Sequence, residues 1–336
     1  MRIVATGASG LLGAALVPVL RADGHDVITL VRRPPRRPDE VRWDPDQGRL
    51  DAAELAKADA VVHLAGAGVG DHRWTAAYRQ KILDSRVRGT RLIADALAVG
   101  AAAAGALDTG RGAGRTPVLL SASGVGWYGL AADDPVDETA PAGTGFLADV
   151  VRAWEEATTR ATEAGLRVCL LRTGPVLAAG GGVLARQLPL FRLGLGGPLG
   201  SGRQWLSWIG LDDWVSAVRF LLAADGGPAS LSGPASLSGQ ASSSILAARV
   251  PAVAGPVNLV APSPVTGADF ARTLGAVLHR PAVLPVPRLA LRAVIGGFTD
   301  EGVLASQRVM PRVLTDAGFE FRHPTLRQAL TAALAR

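Results

Sequence analysis

The chain opens Arg2-Ile3-Val4-Ala5-Thr6-Gly7-Ala8-Ser9-Gly10-Leu11-Leu12-Gly13, and the fold follows from how this stretch must be read. Ile3 and Val4 begin a short apolar, β-branched run, which predicts a buried strand ending at Thr6. Three glycines at a spacing of three lead into Leu11 to Leu20, an apolar run that predicts a helix. Gly7 permits the tight turn out of the strand. Gly10 lets the backbone come close to a pyrophosphate, and Gly13 lets the helix pack closely on the sheet. The helix N-terminus then presents unpaired N–H donors to the phosphates. Strand, glycines and helix together read as a dinucleotide cradle lined by Thr6, Gly7, Ser9, Gly10, Leu11, Leu12 and Gly13. An uncharged run after Arg2 also resembles a secretory signal. Its glycines, Pro18 and the lack of a small-residue cleavage site argue against that reading.

Working outward, Val27 to Val31 predicts a second strand and completes a βαβ unit. An NAD-binding chain places Asp or Glu near the end of this strand to hold the ribose 2′-hydroxyl. Here Arg32 and Arg33 stand there instead, and a guanidinium favours a 2′-phosphate through charge-assisted bonds. The expected cofactor is therefore NADP(H) over NAD(H), with Arg32 and Arg33 as ligands and Arg36 and Arg37 solvated. Ala60 to Leu64 is a buried strand running into Leu64-Ala65-Gly66, a turn expected beside the cofactor. His63 lies inside that apolar run and reads as a core histidine rather than a catalyst.

Helical periodicity over Trp74 to Ala98 is followed by an Ala/Gly-rich stretch, 99–116, expected as an insertion between helix and strand. Then come a strand from Val118 to Ser121, a helix from Phe146 to Ala164 and a strand from Arg167 to Arg172. This alternation predicts an α/β protein with a doubly wound parallel sheet, its ligands at the carboxyl ends of the strands. Ser121, Ala122, Thr173, Gly174, Pro175 and Val176 fall at such ends and complete the expected cofactor path. Asp212 or Asp213 is expected to cap a helix from Trp214 to Leu222. Pro228 to Gly233 repeats at once as Pro234 to Gly239, so 226–246 is expected as a mobile linker. The division expected is a dinucleotide-binding domain over 1–225 and a small, mainly helical, substrate-side domain over 247–336.

Composition narrows the partners. With 336 residues, 48% apolar and 19% charged, the chain can bury a sizeable core. Cys169 is the sole cysteine, which excludes a disulfide framework and suits a reducing cytoplasm. The five histidines (His25, His63, His72, His279 and His323) show no ligand spacing, so no metal is expected. The net charge of +6 raises nucleic acid as a partner, but the one dense basic cluster, Arg32 to Arg37, has no interleaved aromatics. Past the first stretch no uncharged apolar run is long enough to span a bilayer. A small-molecule substrate remains.

Longer motifs sharpen this. Thr6-Gly7-x-x-Gly10-x-x-Gly13, Leu64-Ala65-Gly66 and Ser121-Ala122-Ser123 resemble the extended short-chain dehydrogenase/reductases. Phe146-Leu-x-x-Val150-x-x-x-Trp154-Glu155, Arg172-Thr-Gly-Pro-Val-Leu177, Gly200 to Ile209, Gly255-Pro-Val-Asn-Leu259 and Gly318-Phe-Glu-Phe321 are more specific. Together they resemble an atypical branch, the nucleoside-diphosphate-sugar epimerase-like family with a C-terminal domain of unknown function. The resemblance implies a Rossmann domain, an NADP-type cofactor and a pocket between that domain and the C-terminal part.

It also exposes a gap. The usual chemistry uses a Ser, a Tyr that moves the proton and a Lys that lowers the Tyr pKa. Ser123 matches the serine, but Leu147 and Val151 stand where Tyr-x-x-x-Lys belongs. Tyr128, just past the serine strand, is the alternative acid. The resemblance leaves three readings: hydride transfer with another acid, NADPH binding without catalysis as a sensor or scaffold, or a reaction whose proton comes from substrate or water. Around the pocket, Arg203 with Trp205 and Trp208 would suit an anionic, nucleotide-linked or flat ligand, with Arg73 and Trp74 forming a lip. Arg86 replaces an asparagine and Gly210 a histidine common in relatives. The helices over about 75–98 and 146–164 often pair across a dimer in extended reductases, which makes a homodimer an expectation.

Overall fold

Parallel pairing of apolar strands organises the chain. The computed structural model describes residues 1–107, 117–130, 133–223 and 252–335. Its strands are β1 (Arg2–Thr6), β2 (Asp26–Val31), β3 (Glu40–Arg42), β4 (Ala60–His63), β5 (Val118–Gly124), β6 (Arg167–Thr173), β7 (Val176–Leu177), β8 (Trp205–Leu206), β9 (Ile209–Gly210), β10 (Gly255–Leu259) and β11 (Val265–Thr266). The helices are α1 (Leu11–Ala22), α2 (Ala52–Ala56), α3 (Ala76–Leu107), α4 (Phe146–Glu156), α5 (Thr159–Glu163), α6 (Gly182–Arg192), α7 (Leu211–Ala223), α8 (Gly267–Val277), α9 (Arg288–Ile295), α10 (Arg312–Asp316) and α11 (Leu326–Leu334). Seven strands form one sheet in the order β10-β6-β5-β4-β1-β2-β3, and every pairing in it is parallel. The order reverses between β1 and β4, and ligands of such sheets lie in that crevice at the carboxyl ends.

Alternation along each strand feeds two cores. Ile3, Ala5, Val62, Leu120 and Leu171 face α1 and α7 on one side. Val4, Val61, Leu119 and Val168 face α3 and α5 on the other. Both faces are covered, as a parallel sheet requires. A third core joins Leu184, Leu188 and Phe191 of α6 to Phe270 and Leu274 of α8 and to Leu326 and Leu330 of α11.

That third core runs across the expected division of the chain. Residues 177–208, placed in the first domain, pack with the C-terminal helices. Gly255–Leu259, placed in the second, is the edge strand of the main sheet, paired to β6. The linker expected over 226–246 lies outside the described residues. Local expectations also shift. The Ala-rich stretch after residue 98 continues α3 to Leu107 instead of interrupting it, since alanine is the strongest helix former. The remainder, 108–116, lies outside the described residues. The single helix expected over 146–164 is two, because the Thr158 hydroxyl donates to the Glu155 carbonyl and starts a new turn. Asp213 lies inside the first turn of α7, and its carboxylate accepts from the backbone N–H of Arg322 and His323. It ties the tail to α7 rather than capping it. No described helix is long and apolar enough to cross a membrane.

One buried hydroxyl locks β1 to β4. Thr6 Oγ1 accepts from the N–H of Leu64 (3.0 Å) and Ala65 (3.1 Å), so its proton is left for His63 Nδ1 at 2.8 Å. His63 is fully buried, edge-on to Trp43, and its Nε2 has no hydrogen-bond partner. Burial lowers its pKa from 6.5 to about 4. The folded state keeps the ring neutral while the unfolded chain protonates it below 6.5. The stability it supports is therefore complete above pH 6.5 and is lost as pH falls toward 4, by up to about 3 kcal/mol. Urea unfolding between pH 7.5 and 4.5 should show a steeper loss for the native protein than for His63→Gln. Equal slopes would contradict this account.

Candidate functional site

The site is built on the junction of β1 and α1. Gly7 has φ +67°, and a Cβ there would lie 2.7 Å from the Leu64 carbonyl carbon. A Cβ on Gly13 would overlap the Gly7 carbonyl oxygen. Gly13 is buried, whereas Ser9 and Gly10 are exposed. This is the pattern of a loop closed tightly against protein on one side and open to a ligand on the other. Gly10 is the N-cap of α1 without a side-chain bond, and the first turn has no acidic residue. Its N–H donors and positive dipole end are left for an anion. Leu11 packs on Gly181 and thereby brings the start of α6 beside the cradle. Leu12 is half-buried against the first core. Thr6 belongs to the scaffold, not to the cofactor wall: its side chain is wholly buried and its bonding capacity is used within the protein.

At the end of β2 the two arginines differ. Arg33 forks onto Glu40 (2.7 and 2.8 Å), which also accepts from the Arg36 N–H. Those hydrogen bonds hold the Glu40 carboxyl down at about 2. Arg32 is exposed and makes no hydrogen bond or ion pair among the described residues. Sequence treated the pair as equivalent; only the fold separates the free cation from the tethered one.

On the other side of β1, Leu64, Ala65 and Gly66 stay accessible along the crevice, as do Ala122, Pro175 and Val176. Ser121 and Gly174 do not, and the half-buried Thr173 has its hydroxyl engaged within the protein. Ser121 is 1% exposed. The Thr173 hydroxyl donates to Leu171 O and accepts from Trp214 Nε1. Gly174 is buried where a Cβ would overlap the Ser207 carbonyl. These three shape the strand ends from within.

Ser123 and Tyr128, the expected catalytic pair, belong to one buried network. Ser123 Oγ donates to Glu155 Oε1 at 2.6 Å. Arg172 holds the same carboxylate through Nε and a terminal nitrogen, both at 2.8 Å. Its guanidinium also stacks on Trp127 at 3.9 Å and donates to the Tyr128 oxygen. Tyr128 in turn donates to Asn258 Oδ1 at 2.7 Å. Burial raises the Tyr128 pKa despite Arg172 and Asn258 pulling it down. The phenol is thus protonated near neutrality, 4% exposed, and its proton is committed to Asn258. The expectation that Tyr128 presents an acid to the cleft is corrected on that ground. Glu155 and Arg172 were visible in the sequence only as motif letters; pairing across 17 residues gives them their role.

The pocket residues divide similarly. Trp208 is fully buried in the third core with Nε1 bonded to Ser263 O, so it cannot line a pocket. Arg86 is 9% exposed, donates to Ala67 O and Ile82 O and stacks on Trp154, so its guanidinium braces the loop after β4. Burial lowers its pKa to about 10. Arg73 bonds Ala293 O, and Trp74 packs between Phe146 and Phe298, which makes them a clasp between α4 and the C-terminal segment. Arg203 is exposed, and Trp205 is half-buried. Arg308, which the sequence reading missed, stacks on Trp205 at 4.5 Å, and its buried Nε has no partner. No local signal marks it, because being unpaired is a property of the folded surroundings. No metal-holding group of His, Cys, Asp or Glu occurs among the described residues.

Comparison with known proteins agrees with this geometry. The model of the NAD-dependent epimerase/dehydratase family matches residues 3–230, and a domain of unknown function, DUF1731, matches 286–333. An epimerase family protein of Mycobacterium bovis is 41% identical over 334 residues, covering 99% of this chain and 98% of its own. The crystal structure of the human epimerase family protein SDR39U1 (isoform 2) with NADPH superposes with a TM-score of 0.78 at 30% identity, covering 100% and 99% of the two chains. A nucleoside-diphosphate sugar epimerase from Corynebacterium glutamicum gives 0.72 at 31% identity, over 99% of this chain and 58% of that one. The chain therefore belongs to the NAD-dependent epimerase/dehydratase family, as a Rossmann-type member with the DUF1731 region at its C-terminal end.

Proposed function

We propose that the chain binds NADP(H) and serves as an oxidoreductase, or a sugar-nucleotide epimerase-like protein, that works without the Tyr/Lys relay. The observation that carries this reading is the free Arg32 beside an uncapped helix N-terminus. The residues fit the cofactor: the N–H groups from Gly10 to Gly13 would hold the pyrophosphate. Arg32 would hold the 2′-phosphate, with Arg33 alongside in a fixed orientation. The NADPH bound to the human relative supports the same choice. When bound, this cofactor supplies a hydride. The protein supplies the wall of the crevice and the loop braced by Arg86.

The substrate we propose is a small anionic or nucleotide-linked compound. Arg308 on the Trp205 face, with Arg203 two residues before Trp205 in sequence, offers a flat cationic surface that no carboxylate engages among the described residues. The relative named as a nucleoside-diphosphate sugar epimerase supports that class. A second reading, a non-catalytic NADPH sensor or scaffold, is favoured by Leu147 and Val151 at the relay positions and by the internal bonding of Ser123 and Tyr128.

Titration following reduced-nicotinamide fluorescence tests the cofactor. Arg32→Glu should weaken NADPH by about 10- to 100-fold and leave NADH nearly unchanged; equal losses would remove the 2′-phosphate assignment. Gly13→Ala should push α1 off β1, lowering Tm by several degrees and NADPH affinity by about tenfold or more. Unchanged binding would show that the cradle is not where the cofactor sits. Oxidation of NADPH with carbonyl or sugar-nucleotide probes separates the enzyme from the sensor.

A further inference from the structure

The C-terminal segment delivers a carboxylate to the helix position where the relay is missing. Leu147 and Val151 face the turn that follows Ser123: a Cβ on Gly126 would lie 3.2 Å from the first and 3.5 Å from the second. The Leu147 N–H, in the first turn of α4, donates to Glu301 Oε2 at 2.9 Å. Glu301 sits on a single π-helical turn, Thr299–Val303, and such turns concentrate at functional sites. The turn's aim is fixed. Gly302 is needed because a Cβ there would overlap Phe298, and Phe298 packs on Trp74, which packs on Phe146 of α4.

Neighbouring acids are already engaged. Glu155 is held by Arg172 and Ser123, Asp71 faces Arg186, and Asp300 is held by Arg288 and Arg292. Glu301 has no cationic partner among the described residues, and its Oε1 accepts no hydrogen bond there. Strand order sets what it would face. With Arg32 at the end of β2 marking the adenosine half, the nicotinamide half runs to the opposite side of β1, over β4, β5 and β6. The first turn of α4 lies at that end.

We propose that Glu301 is the acid–base group of this cleft, supplied by the C-terminal segment in place of a side chain at 147. The proposal rests on the NADP(H) oxidoreductase reading above. In reduction, bound NADPH would supply the hydride to a carbonyl carbon and be left as NADP⁺. The Glu301 carboxylic acid gives its proton to the carbonyl oxygen and is left as the carboxylate, reprotonated by solvent. Oxidation of a substrate hydroxyl runs the same step in reverse.

A carboxylate in this place also interacts with a nicotinamide ring that is positive in NADP⁺ and neutral in NADPH, which gives a test needing no substrate. Dissociation constants for NADP⁺ and NADPH are measured by calorimetry on the native protein, Glu301→Gln and Glu301→Ala, with Tm alongside. Glutamine keeps an oxygen for the Leu147 N–H but removes the charge. It should leave Tm and NADPH affinity unchanged while weakening NADP⁺ by about fivefold or more. Alanine should show the same NADP⁺ loss together with a lower Tm. An unchanged NADP⁺/NADPH ratio in both variants, with NADPH still bound, would make Glu301 a helix cap only and overturn the proposal while the cofactor reading stands. Failure of the native protein to bind NADPH would overturn the cofactor reading itself, and the proposal with it.

Discussion

The close approach of α1 to β1 is the constraint on which the rest of the molecule depends. Gly13 has no room for a Cβ against the Gly7 carbonyl, and Gly7 has none against the start of the loop after β4. Helix, strand and loop are thus brought within backbone contact, with the Thr6 hydroxyl fastening β1 to the Leu64–Ala65 turn. A helix dipole aimed at a crevice is useful only if its first turn is held still. Here the holding is done by glycine sterics and one buried hydroxyl–imidazole pair, which leaves the exposed Ser9–Gly10 side unencumbered.

Much of this was legible in the sequence because it is local. The opening strand, its glycines, the second strand with Arg32 and the alternation that dictates a parallel sheet are all short-range patterns, and the structure places them within a few residues of expectation. What was not legible is tertiary. Trp208 and Trp205 are three residues apart, yet one is sealed in a core and the other carries a guanidinium. Asp213 looks like a helix cap in sequence but serves a backbone segment 109 residues away. Gly255–Leu259 reads as the start of a second domain, but an open edge on β6 recruits it into the sheet. Arg33 matches Arg32 until Glu40 closes on it.

Chemically, the end of β5 is organised around a buried ion pair. Arg172 and Glu155 enclose Ser123, and Arg172, stacked between Trp127 and Tyr128, binds the phenol into the same network. A buried pair of this kind has to be fully satisfied, since removing one partner leaves an uncompensated charge. That requirement takes Tyr128 out of contact with the crevice. The groups proposed for the cleft come from the C-terminal segment: Arg308, over the Trp205 ring, and Glu301, at the first turn of α4. Val309, buried with Val125, Tyr128 and Val260, and Gln307, which donates to the Val125 and Gly129 carbonyls, hold that segment against the end of the sheet. In the proposed site the C-terminal region would thus contribute side chains rather than serve as an appendage.

A crystal structure of the NADPH complex tests the central claim most directly. The account predicts the pyrophosphate on the Gly10–Gly13 amides, the 2′-phosphate within ion-pair distance of Arg32, and the nicotinamide over the ends of β4 to β6. A 2′-phosphate turned away from Arg32, or a cofactor bound anywhere other than the β1–α1 junction, would contradict it.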